Sequence, residues 1–263
     1  MSVTSDHIDA PQGAQAVIRA IRLLKAVAAH EKDSSLTELA TDLDLSPSTT
    51  HRILAALESE GLLAQDSSSR HYTLGPAALT IGAHALHKSD LRALARPLLQ
   101  RLAEASGETA TLEIPVDGEM LILDEVAGSQ IIGARVEVGT RWPSYATSTG
   151  KALLAALPED EFETRLAQTR TQFTSSTLVD PAALRIDIER TRESGFATVA
   201  GELEAEYAAV GAAVLDRNGR GVAALSIGGP RERLDHAMRC HLGDLVAKSA
   251  KELSILLSAK SRS

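Results

Sequence analysis

Ser46-Pro47 opens a helix and Gly61 closes it, and this punctuation constrains the N-terminal part of the chain more than any other feature. A serine side chain accepts the first free backbone N–H groups, and proline supplies the helical φ where no donor is needed. Glycine at the far end takes the left-handed backbone that stops a helix. Two helices precede this one. The first runs from Ala14 to about His30, with Val17, Ile21, Leu24 and Ala28 recurring at helical steps. The second is short, with Thr37 read as its cap and Leu39, Ala40 and Leu43 turned inward. After Gly61, Leu62–Gln65 and His71–Leu74 read as short strands around a polar hairpin loop, 66–70. Three short helices and a β-wing make the winged helix-turn-helix plan, in which a small core holds one stiff helix for the DNA major groove.

The outward face of the third helix follows from its inward one. With Ile53, Leu54 and Leu57 buried, the helical period turns Ser48, His51, Arg52, Ala55 and Ser59 away from the core and leaves Thr49 on the flank. Carboxylates appear only at the far end, at Glu58 and Glu60. A helix start bearing Ser, Thr, His and Arg suits base edges and phosphates. The candidate DNA contacts are Thr37, Ser46, Ser48, Thr49, His51 and Arg52, with Arg70 in the wing loop. Net charge argues the other way. The chain carries −8, from 27 Lys and Arg against 35 Asp and Glu, and residues 14–75 hold six of the former against eight of the latter. DNA binding must therefore rest on the local placement of a few charges.

Beyond Gly75-Pro76 comes a helix of small residues, Ala77 to Leu86, then a longer one, Leu91 to Ala105. From Glu108 the texture changes to strands at Thr109–Val116, Met120–Val126 and Ile131–Val136. Helices near Gly150–Leu157, Glu159–Gln168 and Pro181–Ser194 follow. Strands at Phe196–Val199, Ala208–Asp216 and Val222–Ile227 and a last helix from about His236 to Leu257 end the pattern. This is an α+β chain: a winged helix, then a domain built on an antiparallel sheet. Aromatic residues are only 3%, so the core is aliphatic. The single cysteine, Cys240, excludes an internal disulfide and a multi-cysteine zinc site. The N-terminus lacks the charged-then-apolar pattern of a signal peptide, and no run is long enough to span a bilayer, so a cytoplasmic protein is expected. Gly219–Ala224 fits a loose dinucleotide pattern but lies in an expected hairpin. His84 with His87, and Cys240 with His241, have no convincing third ligand. Neither a metal nor a cofactor is expected. There is no Gly-x-Ser-x-Gly elbow, and Ser226 has no positioned base.

Several stretches in order resemble the IclR family of bacterial transcriptional regulators. They are Ser35-Leu36-Thr37-Glu38-Leu39-Ala40, then Leu45-Ser46-Pro47-Ser48-Thr49-Thr50-His51-Arg52-Ile53-Leu54, then Leu57-Glu58-Ser59-Glu60-Gly61-Leu62-Leu63 and Tyr72-Thr73-Leu74-Gly75. Downstream, Ala146-Thr147-Ser148-Thr149-Gly150-Lys151-Ala152-Leu153-Leu154-Ala155, Gly195-Phe196-Ala197 and Ala223–Pro230 continue the match. Residues 1–13, polar with Pro11 and Gly13, read as a flexible arm, and the resemblance implies a winged helix at 14–75, a linker helix at 76–90 and a GAF-like effector-binding domain at 91–263. It also implies a homodimer or homotetramer on a palindromic double-stranded operator, acting as a repressor or an activator, a choice the sequence leaves open.

In the family, an effector carboxylate sits against backbone amides at the helix start that here falls at Ser148 and Thr149. The physics is sound without the family, because free N–H groups and the helix dipole favour an anion. The resemblance places a pocket serine at Ser226, apolar walls at Ile131, Ala134 and Trp142, and a polar or thiol position at Ala209. The chain departs from small-keto-acid sensors at Val199 or Ala200, at Ala209 and at Gly228, where polar groups are missing. That implies a monoanionic organic acid larger and less polar than glyoxylate or pyruvate, with an aromatic carboxylate as one candidate. Two rival functions stand beside the regulator: an enzyme with an N-terminal helical dimerisation module, and a winged helix that binds protein or RNA. No reactive constellation in the C-terminal half favours the enzyme, and the outward Ser48, His51 and Arg52 favour DNA.

Overall fold

The computed structural model describes residues 14–30, 33–87, 90–130 and 137–260, and the chain divides into two compact units between residues 88 and 89. The expected arm at 1–13 and the expected strand at Ile131–Val136 lie outside the described residues.

In the first unit, α1 (Ala14–Ala29), α2 (Leu36–Asp42) and α3 (Pro47–Ser59) enclose Leu23, Leu39, Leu54 and Leu57. β1 (Leu63–Gln65) and β2 (Tyr72–Leu74) add Leu63 and Tyr72 to the same core. Burying each large aliphatic side chain is worth ~1.5–3 kcal/mol, which is what lets so small a unit hold a helix still. Ser46 caps α3 as its sequence requires, accepting from the Thr49 N–H at 3.2 Å, and Pro47 opens the first turn. The cap of α2 is Ser35 and not Thr37. Ser35 Oγ accepts from the Glu38 N–H at 3.3 Å while Glu38 Oε2 accepts from the Ser35 N–H at 2.8 Å, a reciprocal box that Thr37 cannot form from inside the helix. The wing is a tight antiparallel pair, Leu63 opposite Leu74, extended by a bridge between Ser34 and Tyr72. α4 (Pro76–His87) follows.

Among the described residues, the second unit is a six-stranded antiparallel sheet with helices on both faces. After α5 (Asp90–Ser106), the chain forms β3 (Thr109–Val116), β4 (Glu119–Val126) and the short β5 (Arg141–Pro143), which the sequence reading missed. A 3₁₀ turn, Ser144–Ala146, leads into α6 (Ser148–Ala155), α7 (Glu159–Leu166) and α8 (Pro181–Ser194). β6 (Ala197–Ala200), β7 (Tyr207–Leu215), β8 (Gly221–Pro230) and α9 (His236–Lys260) complete it. The strand order is β5-β4-β3-β8-β7-β6.

Alternation along the strands divides the two faces. Ala110 and Leu112, Ala208, Val210 and Ala212, and Leu225 and Ile227 form the main core with α5 and α9. The opposite face carries Thr111, Glu113, Ala209, Gly211 and Ser226, and α6 lies across it. Among the described residues no helix is long and apolar enough to cross a membrane.

Candidate functional site

Each unit presents one candidate site. On the first, Leu54 and Leu57 are buried and Ile53 is half-buried, so Ser48, His51, Arg52, Ala55 and Ser59 stand exposed and Thr49 is half-buried on the flank, as the helical period requires. The one inward residue the period did not single out is Thr50, fully buried, whose hydroxyl donates to the Ser46 carbonyl at 3.1 Å. Among the described residues no hydrogen bond or ion pair holds the Arg52 guanidinium. Thr37 is exposed on α2, and Ser46 and Thr49 share a hydroxyl–hydroxyl bond of 2.9 Å at the start of α3. Arg70 sits at the wing with φ at 61°, a left-handed conformation. Asp66 folds the loop beneath it by accepting from the backbone and hydroxyl groups of Ser68 and Ser69, at 2.5–3.0 Å. Those four bonds hold the Asp66 carboxyl well below the usual carboxylate range.

On the second unit, a cavity of about 250 Å³ opens at the start of α6. Thr147 caps the helix by accepting from the Gly150 N–H at 3.1 Å. The N–H groups of Ser148 and Thr149 come earlier in the turn and have no intrahelical acceptor. Gly211 of β7 lets this helix start lie directly on the sheet, since a Cβ there would stand 2.8 Å from the Ser148 carbonyl carbon and 2.9 Å from the Thr149 nitrogen. The structure brings Trp142, Ser148, Thr149, Ala209 and Ser226 together around the cavity. Ile131 and Ala134, the other expected wall residues, lie outside the described residues. Ala146, Val199 and Leu203 add apolar wall.

The lining is more polar than the sequence reading expected. Glu113, Glu202, Glu204 and Tyr207 all face the cavity. The serine missing at Gly228 is offset by Tyr207, whose hydroxyl occupies the space a Cβ at 228 would need. Glu113 is 6% exposed, with Oε2 accepting from Thr149 Oγ1 at 2.6 Å and Oε1 from Thr111 Oγ1 at 2.8 Å. Burial pushes its carboxyl above the usual range, against the pull of those two bonds. Burial also raises the Tyr207 phenol, with the neighbouring carboxylates, Glu113 first, adding to the effect. Glu202, 8% exposed, is raised by burial and drawn back by Lys151, whose Nζ lies 2.6 Å from Glu202 Oε1 and 2.8 Å from Asp187 Oδ2. A signal for Glu113 was present in the sequence. Thr109, Thr111 and Glu113 place polar groups at every second position of a strand whose other positions are Ala110, Leu112 and Ile114. Tyr207 and Glu202 carry no comparable local pattern.

Comparison with known proteins agrees with both halves. Residues 16–67 match the IclR helix-turn-helix domain, and residues 83–255 match the bacterial transcriptional regulator IclR C-terminal domain. The HTH-type transcriptional regulator BhcR of Paracoccus denitrificans is 36% identical over 243 residues, covering 92% of this chain and 87% of its own length. The HTH-type transcriptional repressor AllR of Escherichia coli K12 is 33% identical over 252 residues, covering 95% of this chain and 93% of its own. The crystal structure of the IclR transcriptional regulator from Alicyclobacillus acidocaldarius superposes with a TM-score of 0.84 at 26% identity, over 92% of this chain and 98% of that one. Both domains are matched in order, and named regulators align along almost the full length. The chain therefore belongs to the IclR family of bacterial transcriptional regulators, with a DNA-binding helix-turn-helix and an effector-binding domain, and is not an enzyme.

Proposed function

We propose that the chain works in the cytoplasm as a repressor whose operator affinity changes when a small organic acid enters the cavity at the start of α6. Residues 14–75 are the reading module, 76–90 the linker and 91–263 the sensor. The observation that carries this is the juxtaposition of the free Ser148 and Thr149 amides with the Trp142 ring around one cavity. Amides at a helix start favour a carboxylate, and an indole face favours a flat apolar body. A protein of the same fold from Microbacterium hydrocarbonoxydans, 22% identical, is described in complex with 4-hydroxybenzoate, so the fold can hold an aromatic carboxylate. The polar lining at Glu113, Glu202, Glu204 and Tyr207 favours an acid with a further hydrogen-bonding group over a plain hydrocarbon acid.

Trp142 is the chain's only tryptophan, so its fluorescence reads the cavity directly. Titration with benzoate, 4-hydroxybenzoate, hexanoate and pyruvate is expected to show saturable binding of an aromatic acid, together with a shift in operator affinity. A ligand that binds both DNA-competent and DNA-free states equally cannot regulate. Binding of pyruvate alone, or of none with no operator response, would rule the reading out.

On DNA, two copies of α3 reading successive major-groove faces of a palindrome require a dimer or tetramer. Leu79 and Ile81 support this: they stand 67% and 63% exposed on α4, an apolar surface that water disfavours. Light scattering is expected to find a dimer or larger at micromolar concentration, and Leu79→Glu/Ile81→Glu to weaken it. A stable wild-type monomer would overturn the assignment.

A further inference from the structure

The hydroxyl chain that ends at Ser226 has only one proton arrangement when Glu113 is ionised. A carboxylate carries lone pairs and no proton, so it can only accept. Thr149 Oγ1, 2.6 Å from Oε2, and Thr111 Oγ1, 2.8 Å from Oε1, must both turn their protons toward Glu113. The single Thr111 proton is then committed. Ser226 Oγ lies 2.7 Å from Thr111 Oγ1, so Ser226 must donate to Thr111. It then faces the cavity with lone pairs alone, which repel an anion. A proton on Glu113 Oε1 reverses the sequence: Glu113 donates to Thr111, Thr111 donates to Ser226, and the Ser226 proton is free to point into the cavity.

We propose that an anionic effector enters this cavity together with one proton, taken from solvent onto Glu113. The inference rests on reading the cavity as the effector site. Thr149 joins the two events, because its amide belongs to the anion-favouring helix start while its hydroxyl holds Glu113. An ionised Glu113 and a ligand carboxylate would therefore be close neighbours in a space of about 250 Å³. Two like charges at such range do not both stay ionised without a cation between them.

Among the described residues, the groups that face Glu113 provide none. Across the ladders its partners are Ile122 of β4 and Ala224 of β8, both uncharged. Thr149 comes from α6 and the Tyr207 phenol from β7. Among the described residues, the other charges lining the cavity are the carboxylates Glu202 and Glu204, and none of the lining residues is Lys, Arg or His. Lys151 is engaged with Glu202 and Asp187 behind the wall. Burial already pushes the Glu113 carboxyl toward its protonated form.

The test is Trp142 fluorescence titration of the full chain with benzoate, hexanoate and pyruvate between pH 6 and 8, where all three stay ionised. For each acid that binds, the wild-type Kd is expected to rise by up to ~10-fold per pH unit above the Glu113 ionisation, because one pKa unit is one factor of ten. Glu113→Gln keeps a donor toward Thr111 and an acceptor toward Thr149, which mimics the protonated arrangement. Its Kd should be flat with pH and, at pH 8, tighter than that of the wild type. Calorimetry in phosphate and in Tris should show up to one proton taken up by the wild type and none by the variant. A ligand-free control checks the variant's fold. Since the folded Glu113 is raised, its favourable contribution is complete below the ordinary carboxylate range and lost as pH rises through the folded value. Glu113→Gln should therefore gain melting temperature over the wild type from pH 5 to pH 8. A pH-independent wild-type Kd with no proton uptake, an unchanged slope in Glu113→Gln, or a variant that loses stability as pH rises overturns the inference and leaves the effector site standing. No binding of any acid to either protein overturns the effector site and this inference with it.

Discussion

Lys151→Met is expected to destabilise the second unit by about 3–5 kcal/mol, the usual cost of removing one partner from a buried ion pair. Lys151 is completely buried on α6, and its ammonium is the cation against Glu202 Oε1, with the Leu178 backbone as a further hydrogen-bond partner of the carboxylate; among the described residues Glu202 Oε2 is buried with no hydrogen bond. Methionine conserves the aliphatic volume, so the loss isolates the charge. Asp187 is a quarter exposed and rehydrates more readily than Glu202, whose side chain is only 9% exposed. In the variant, Glu202 loses the neighbour that draws its carboxyl down, and burial raises it further. A raised carboxyl contributes most below the ordinary carboxylate range and loses that contribution as pH rises through its folded value. The deficit should consequently be largest at pH 8 and shrink toward pH 5. Lys151→Met/Glu202→Gln should recover most of the loss, because replacing a buried pair with neutral groups is often close to neutral. Chemical denaturation of the three proteins at both pH values measures this. A single variant within ~1 kcal/mol of the wild type at pH 8 would show that water reaches Glu202 and that the buried pair is not needed.

Arg52→Ala is expected to weaken specific operator binding by about 1–3 kcal/mol, or roughly 5- to 150-fold, the value of one good side-chain–base pair. The module has little positive charge to compensate, since residues 14–75 hold more acidic than basic side chains. Arg70→Ala should behave differently. Arg70 is the proposed phosphate contact in the wing, so its loss should weaken all sequences alike and lower the salt slope by about one unit. Fluorescence anisotropy on operator and scrambled duplexes at two salt concentrations separates the two. Wild-type affinity in both variants at moderate salt would mean that DNA meets another face.

Local signals carried the first unit. Ser46-Pro47, Gly61 and the spacing of Leu54 and Leu57 determined where α3 begins, where it ends and which face it exposes, because capping and helical periodicity are read over a few residues. The same logic misplaced the α2 cap by two residues. Thr37 and Ser35 are both good caps in isolation, and only the reciprocal bond with Glu38 selects Ser35.

The second unit was legible as an antiparallel α+β domain, and its family resemblance marked Trp142, Ser148, Thr149, Ala209 and Ser226. Its chemistry was not legible. Trp142 reaches the cavity through β5, a three-residue edge strand too short for any periodic signal. Tyr207 fills the place left by Gly228 because β7 and β8 pair in one register, Ala208 opposite Gly229, which no local pattern encodes. Glu113, Thr111, Ser226 and Thr149 lie on three separate elements, and only the sheet order β3-β8 beneath α6 joins their hydroxyls into one chain. The sequence alone determined which residues alternate on the longer strands and where α3 begins and ends, since those are properties of neighbours along the backbone. Which polar groups meet in the cavity, and so which protons they must share, depends on contacts between residues as far apart as Thr111 and Ser226, and these exist only once the sheet has closed.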